Sequence, residues 1–201
     1  MSAEQYYEKI TDVLKQIHVT QREQIKDAAE RMTSSIAAHG RVYLFGSGHS
    51  VIPVLDIFPR YGSFVGFFPL YDPRLMWFNV VGPGGARELL WLERTEGYAR
   101  VFLQSYALQR GDCILIFSHG GLNAAPVDVA LAAKAKGLTV ISVSSLANRR
   151  IATTTVNNCL TSPTLQSTTA FRLRMHLSTL AGRRIWRQVP RWPLCSFQWR
   201  W

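Results

Sequence analysis

Five consecutive residues, Gly46-Ser47-Gly48-His49-Ser50, have the types and spacing of an anion cradle. The apolar run Val42 to Phe45 precedes them, and Pro53 stands near the start of the segment VIPVLDIFPR that follows. A strand, a glycine-serine turn and a helix in that order aim backbone N–H groups at a negative charge. The two glycines let the main chain come close to a ligand, while Ser47 and Ser50 add hydroxyl donors. Val51 occupies the place of the third glycine in a dinucleotide fingerprint, and the chain has no Gly-Lys-Ser/Thr of a Walker loop. Alone, the stretch also fits a plain strand-to-helix turn. A second loop of similar make-up, Ser118-His119-Gly120-Gly121-Leu122-Asn123, follows the apolar run CILIF.

The elements needed to position these loops are legible around them. Tyr6, Ile10, Val13 and Ile17 give residues 3–17 a helical stripe. Thr20-Gln21-Arg22-Glu23 reads as a capping box opening a second helix, whose stripe runs from Ile25 to Ile36 and which Gly40 closes. Beyond the first loop the pattern predicts a helix near 51–60, a buried strand over 64–70 and a long loop over 71–85. A helix over 86–106, divided at Gly97, comes next, then a strand over 113–118. Asn123 is placed as the N-cap of a helix ending at Lys136, with Pro126 just inside it, and LTVISVS (138–144) is a fourth strand. Strands alternating with helices make a parallel sheet with right-handed crossovers, and ligands bind beyond the carboxyl ends of such strands. Both glycine loops lie at that edge, so they can face one pocket.

Composition excludes several classes. With 201 residues, a mean hydropathy of +0.01 and no apolar run of about 20 residues, the chain reads as one soluble domain without a membrane span. The start, MSAEQYYEKITD, has no secretory pattern, and the three scattered cysteines suggest a reduced, cytoplasmic protein without a metal-ligand pattern. The formal charge of +10 invites a nucleic-acid reading that its distribution removes. All 13 acidic residues lie at or before Asp128, facing 12 Lys+Arg, whereas the last 73 residues hold 11 Lys+Arg and no acid. The basicity therefore belongs to the tail.

Taken together, VYLFGSGHS, DIFPR (56–60), LERTEGYA (92–99), GDCILIFS (111–118), GLNAAPVDVALAAKAKG (121–137) and VISVSSL (140–146) resemble the sugar isomerase (SIS) domain proteins, in particular a subgroup with a GSGHS loop. The resemblance covers roughly residues 1–150. It implies an α/β three-layer sandwich around a parallel, flavodoxin-like sheet of five strands, here preceded by an N-terminal helical pair (3–39). It also implies a bound phosphosugar, no cofactor or metal, a homodimer or homotetramer, and isomerase or related lyase chemistry, with a non-catalytic sugar-phosphate sensor as the alternative. By resemblance Gly46, Ser47, Gly48 and Ser50 form the first phosphate loop, and Ser118, His119, Gly121 and Asn123 the second. Gly120 departs from the family's usual serine, and Leu55-Asp56 keeps one acid where the subgroup often shows two.

Aldose–ketose isomerisation needs a base to move a proton between neighbouring carbons and a donor for the enediolate oxygen. His49 and Glu93 are the catalytic candidates. His49 either reaches the ligand or braces its loop; Glu93 serves either as the base or in an interhelical or subunit contact. His119 is placed as a ligand contact. Asp56 is assigned to an i,i+4 ion pair with Arg60, and Trp77 and Trp91 to core or interface.

The tail, 151–201, fits none of this. It has no acid, no lysine, seven arginines and four tryptophans. Permitted codons for Thr155 to Arg184, read one position out of phase, give GKQLSDIADIAIDNCVPPEDALVDIGRPE, with the acids, the strand-like run and the proline turn that the family carries there. The first two bases of each codon are nearly fixed by the protein. The tail is therefore expected to be out of frame and irregular, without a packed fifth strand and closing helix. A basic aromatic tail for nucleic acid or membrane is the competing account.

Overall fold

The computed structural model describes residues 2–58, 60–76 and 85–145, and the backbone of 170–175. Its elements in chain order are α1 (Ala3–Ala37), β1 (Val42–Gly46), α2 (Ile52–Ile57), β2 (Phe67–Pro69), α3 (Gly85–Leu92), α4 (Tyr98–Phe102), β3 (Cys113–Phe117), α5 (Ala124–Ala135), β4 (Thr139–Ser145) and β5 (Ala170–Met175). All five strands are parallel, in the order β2-β1-β3-β4-β5.

The central strands read as unbroken apolar runs because helices cover both faces of the sheet. Alternate residues of β1 divide between two cores. Tyr43 and Phe45 join Ile114, Ile116, Val129 and Ala133 on one side. Val42 and Leu44 join Cys113, Leu115, Ile141, Val54 and Ala28 on the other. Phe45 stacks on Phe102 of α4 at 5.9 Å between ring centres. This is the three-layer α/β sandwich with a flavodoxin-like strand order that the resemblance implies.

The N-terminal helical pair is corrected: α1 is one helix of 35 residues. Nothing between 3 and 37 is a glycine or proline, so no residue stops the helix at 18–19. The Thr20 hydroxyl donates back to the Gln16 carbonyl at 2.7 Å instead of capping a new start. The capping box that does form joins Ser2 and Gln5 at the true N-terminus of the helix. At the other end the left-handed residue is His39, with φ 62°, and not Gly40. Gly40 is needed for close approach, since a Cβ there would stand 2.8 Å from Ser35 Oγ and 3.1 Å from the Gly111 carbonyl.

Further differences are local. α2 is shorter than the expected 51–60, and β2 spans three residues of the expected 64–70 at the edge of the sheet. Gly97, with φ 81°, does divide the helical stretch after Gly85. Trp91 is 66% exposed, which removes it from the core. The expectation of an irregular tail does not hold for Ala170–Met175, whose backbone pairs with β4 from Val140↔Ala170 to Ser145↔Met175. The rest of the tail, like Trp77, lies outside the described residues.

Candidate functional site

In this strand order the chain reverses direction of growth between β1 and β3, and the crevice there is where such sheets bind ligands. Gly46 at the end of β1 is in register with Phe117 at the end of β3. Ser47 and Ser118 therefore leave the sheet side by side.

The first loop has little freedom. A Cβ on Gly46 would lie 2.0 Å from the Ser50 carbonyl oxygen, so only glycine fits. Gly48 sits at φ 56°, ψ −131°, and its N–H donates to Leu75 O at 2.8 Å. Ser50 N–H and Val51 N–H donate to Ser47 O and Gly48 O in a short 3-10 turn. Three N–H groups of the expected cradle are thus used within the fold. Recognition at this loop leans correspondingly on side-chain hydroxyls.

The second loop is folded by its own serine. Ser118 Oγ accepts from Gly121 N–H at 3.1 Å, and Gly121 takes φ 63°. Ser118 N–H is tied to Val143 O, and His119 O accepts from Ser145 N–H. Asn123 is the N-cap residue of α5 by position, yet its side chain makes no capping bond. It lies near enough to Glu93 to act on that carboxyl.

Glu93 is the residue that joins the two loops. Ser47 Oγ donates to its Oε2 at 3.1 Å, Glu93 O accepts from Ala125 N–H at 3.0 Å, and the Asn123 side chain lies near the carboxylate. The residue is 7% exposed. Burial raises the Glu93 pKa, and the bond from Ser47, the charge of Arg94, the Asn123 side chain and the charge of His49 offset this only in part. The geometry thus brings together Ser47, Gly48, His49, Glu93 and Asn123. Ser118 and Gly121 shape the neighbouring loop, and Ser50 lies in the 3-10 turn. His49 and His119 are exposed on their loops. Among the described residues no three His, Cys, Asp or Glu side chains are grouped to hold a metal.

Sequence reading took LERTEGYA as a block without explaining it. Leu92 enters the core, Thr95 Oγ1 donates to Trp91 O, and Gly97 N–H donates to the buried Asp128 of α5 at 2.6 Å. Asp128 also pairs with Arg100 at 3.3 Å. Tyr98 donates its hydroxyl proton to Asp72, itself buried and bonded to Arg74. Burial, and then this bond to Asp72, push the Tyr98 phenol pKa well above its usual value. Asp72 and Asp128 escaped the sequence reading, and the dense mixture of charged, glycine and aromatic residues in LERTEGYA was the one signal of their role. The Asp56–Arg60 pair forms at 3.1 Å, exposed, as its spacing predicts.

Comparison with known proteins bears on the family and the fold. The SIS domain matches residues 5–145. A UPF0309 protein of Oceanobacillus iheyensis is 37% identical over 142 residues, which are 71% of this chain and 56% of that protein. One from Shouchella clausii is 38% identical over 143 residues, again 71% and 56%. The chain spans about half the length of these curated relatives. Phosphoheptose isomerase from Francisella tularensis superposes with a TM-score of 0.59 over 90% of both chains at 14% identity. The enzyme from Neisseria gonorrhoeae gives 0.57 over 86% of this chain and 83% of its own, also at 14%. At that identity the likeness is one of fold. With the match over residues 5–145, the chain belongs to the SIS domain family.

Proposed function

We propose that the protein binds a sugar phosphate at the β1/β3 edge, the phosphate held by the hydroxyls of Ser47, Ser50 and Ser118 and by N–H groups of the two loops. The observation that carries the reading is the Glu93 bridge, which holds Ser47 of one loop at its buried carboxylate and Ala125, just past the other loop, at its carbonyl. Turnover, where it occurs, is isomerisation or a related lyase step, with Glu93 and His49 as the two acid–base groups. A buried carboxylate with a raised pKa suits proton transfer near neutral pH. The working form is a cytoplasmic homodimer or homotetramer, to which the exposed Leu90 and Trp91 of α3 offer apolar surface.

A second reading, a sensor that binds without turnover, is favoured by two observations. Gly120 brings no hydroxyl to the second loop, and Asp56, the one acid kept on α2, is exposed and paired with Arg60. A panel of hexose and heptose phosphates separates the two: product formation supports the enzyme, and saturable binding without product at any pH supports the sensor. Replacing Ser47 and Ser118 together by alanine is expected to weaken binding at least ~10-fold, from the loss of two hydrogen bonds to a charged group. Unchanged affinity in that double variant overturns the phosphate site.

A further inference from the structure

Resting on the phosphate reading above, we propose that ligand binding at the first loop is coupled to uptake of one proton by Glu93. The argument starts from the proton count of a hydroxyl. Ser47 has one proton, and it points at Glu93 Oε2 over 3.1 Å. An ionised carboxylate is an acceptor only, so while Glu93 is charged it claims that proton. Ser47 can donate to a phosphate oxygen only by turning away or by receiving a proton from Glu93 into its own lone pair. Turning away strips the buried carboxylate of one partner just as a second negative charge arrives. Protonation reverses the hydrogen bond, so that Glu93 donates to Ser47 and Ser47 donates to the ligand. The balance is simple: protein, anionic ligand and one proton from solvent give the complex, and the proton resides on the Glu93 carboxyl.

The surroundings fit this exchange. Asn123, facing Glu93 from the start of α5, is neutral. His49 from the first loop and Arg94 on the same turn as Glu93 are the other groups whose charge acts on it. The test is made above the range in which phosphate monoesters take up their second proton. Buried and raised in pKa, Glu93 takes up a proton more readily than an exposed carboxylate does.

The experiment is isothermal calorimetry with the sugar phosphate that binds tightest in the panel, between pH 7 and pH 9, in buffers of different ionisation enthalpy. For the native chain the affinity is expected to fall as pH rises, by up to about tenfold per pH unit, with net proton uptake on binding. Glu93→Gln places a permanent donor where the protonated carboxyl stands. Its affinity is expected to be flat with pH and roughly tenfold or more above that of the native chain at pH 9, with no buffer-dependent heat. A flat profile for the native chain overturns the coupling, and that measurement stands even where the variant folds poorly. A slope that persists in Glu93→Gln and disappears in His49→Gln also overturns it, moving the proton to the histidine. If no sugar phosphate binds at any pH, the phosphate site itself falls, and the coupling with it. Binding without proton exchange removes the coupling alone.

Discussion

Gly46 and Gly120 are both glycines of the two loops, and they are constrained in opposite ways. A methyl group at Gly46 meets the Ser50 carbonyl at 2.0 Å, and the backbone of the loop has to move to admit it. Gly46→Ala is expected to abolish sugar-phosphate binding and to cost ~2 kcal/mol or more in a denaturant titration. At Gly120 the nearest atoms to an added Cβ belong to Leu122, at 3.8 Å and beyond. Gly120→Ser is therefore expected to fold normally and to tighten binding roughly 3- to 10-fold by one added hydroxyl, read by calorimetry. An unchanged affinity there would show that the second loop does not touch the ligand. Ser47, Glu93 and Asn123 could each be picked out from the chain. The bond between Ser47 and Glu93, 46 residues apart, could not, because it depends on where α3 ends above the sheet and no local pattern encodes that. Asn123 misled for a related reason. An asparagine before a helix is an N-cap by every local rule, and here its side chain makes no capping bond and lies near the buried Glu93 carboxylate.

Among the elements, the strands were the most legible. Runs such as VYLF and CILIF are apolar throughout because both faces of a parallel sheet are covered, and glycine-rich loops end them abruptly. β2 was less so: it is a half-buried edge strand, and the expected 64–70 extended into residues that do not pair. The ends of α1 show how local signals mislead. Thr20-Gln21-Arg22-Glu23 has the composition of a helix start, yet a helix already under way suppresses it. At the C-terminal end, His39 carries the left-handed turn that glycine more commonly supplies. The side chain is exposed, so His39→Gly relieves backbone strain without removing core packing. The expected gain is ~0.5–1 kcal/mol, after the added entropy of the unfolded chain is discounted. In a thermal melt this is a rise of about 1–3 °C for a domain of this size. A fall in melting temperature would mean that the histidine has a contact worth more than its strain.

At the scale of the whole chain, two boundaries nearly coincide. The SIS domain match ends at residue 145, and the last acidic residue is Asp128, after which the composition turns basic and rich in tryptophan. The matched residues make up 56% of each of the two relatives. We propose that a change of reading frame near residues 150–155 underlies the change of composition. The coding DNA from that point, read in the alternate frame, is expected to run without stop codons and to encode a sequence close to the corresponding part of the UPF0309 relatives. Stop codons there would reject the account, and β5, at Ala170–Met175, already stands against a wholly irregular tail.

The turn between α3 and α4 has a mechanical side. Its first residue, Glu93, is held to α5 through Ala125 N–H, and Gly97, four residues on, is held to α5 through Asp128. A segment pinned at both ends to one rigid helix cannot peel away by itself, although it lies in a connection and not in a strand. Opening it requires α5 to leave the sheet, which takes Val129, Ala130 and Ala133 out of the core in the same event. The amide protons of Gly97 and Ala125 therefore keep the time of the domain as a whole and not of the surface, and the floor under the first loop lasts as long as the sheet beneath it.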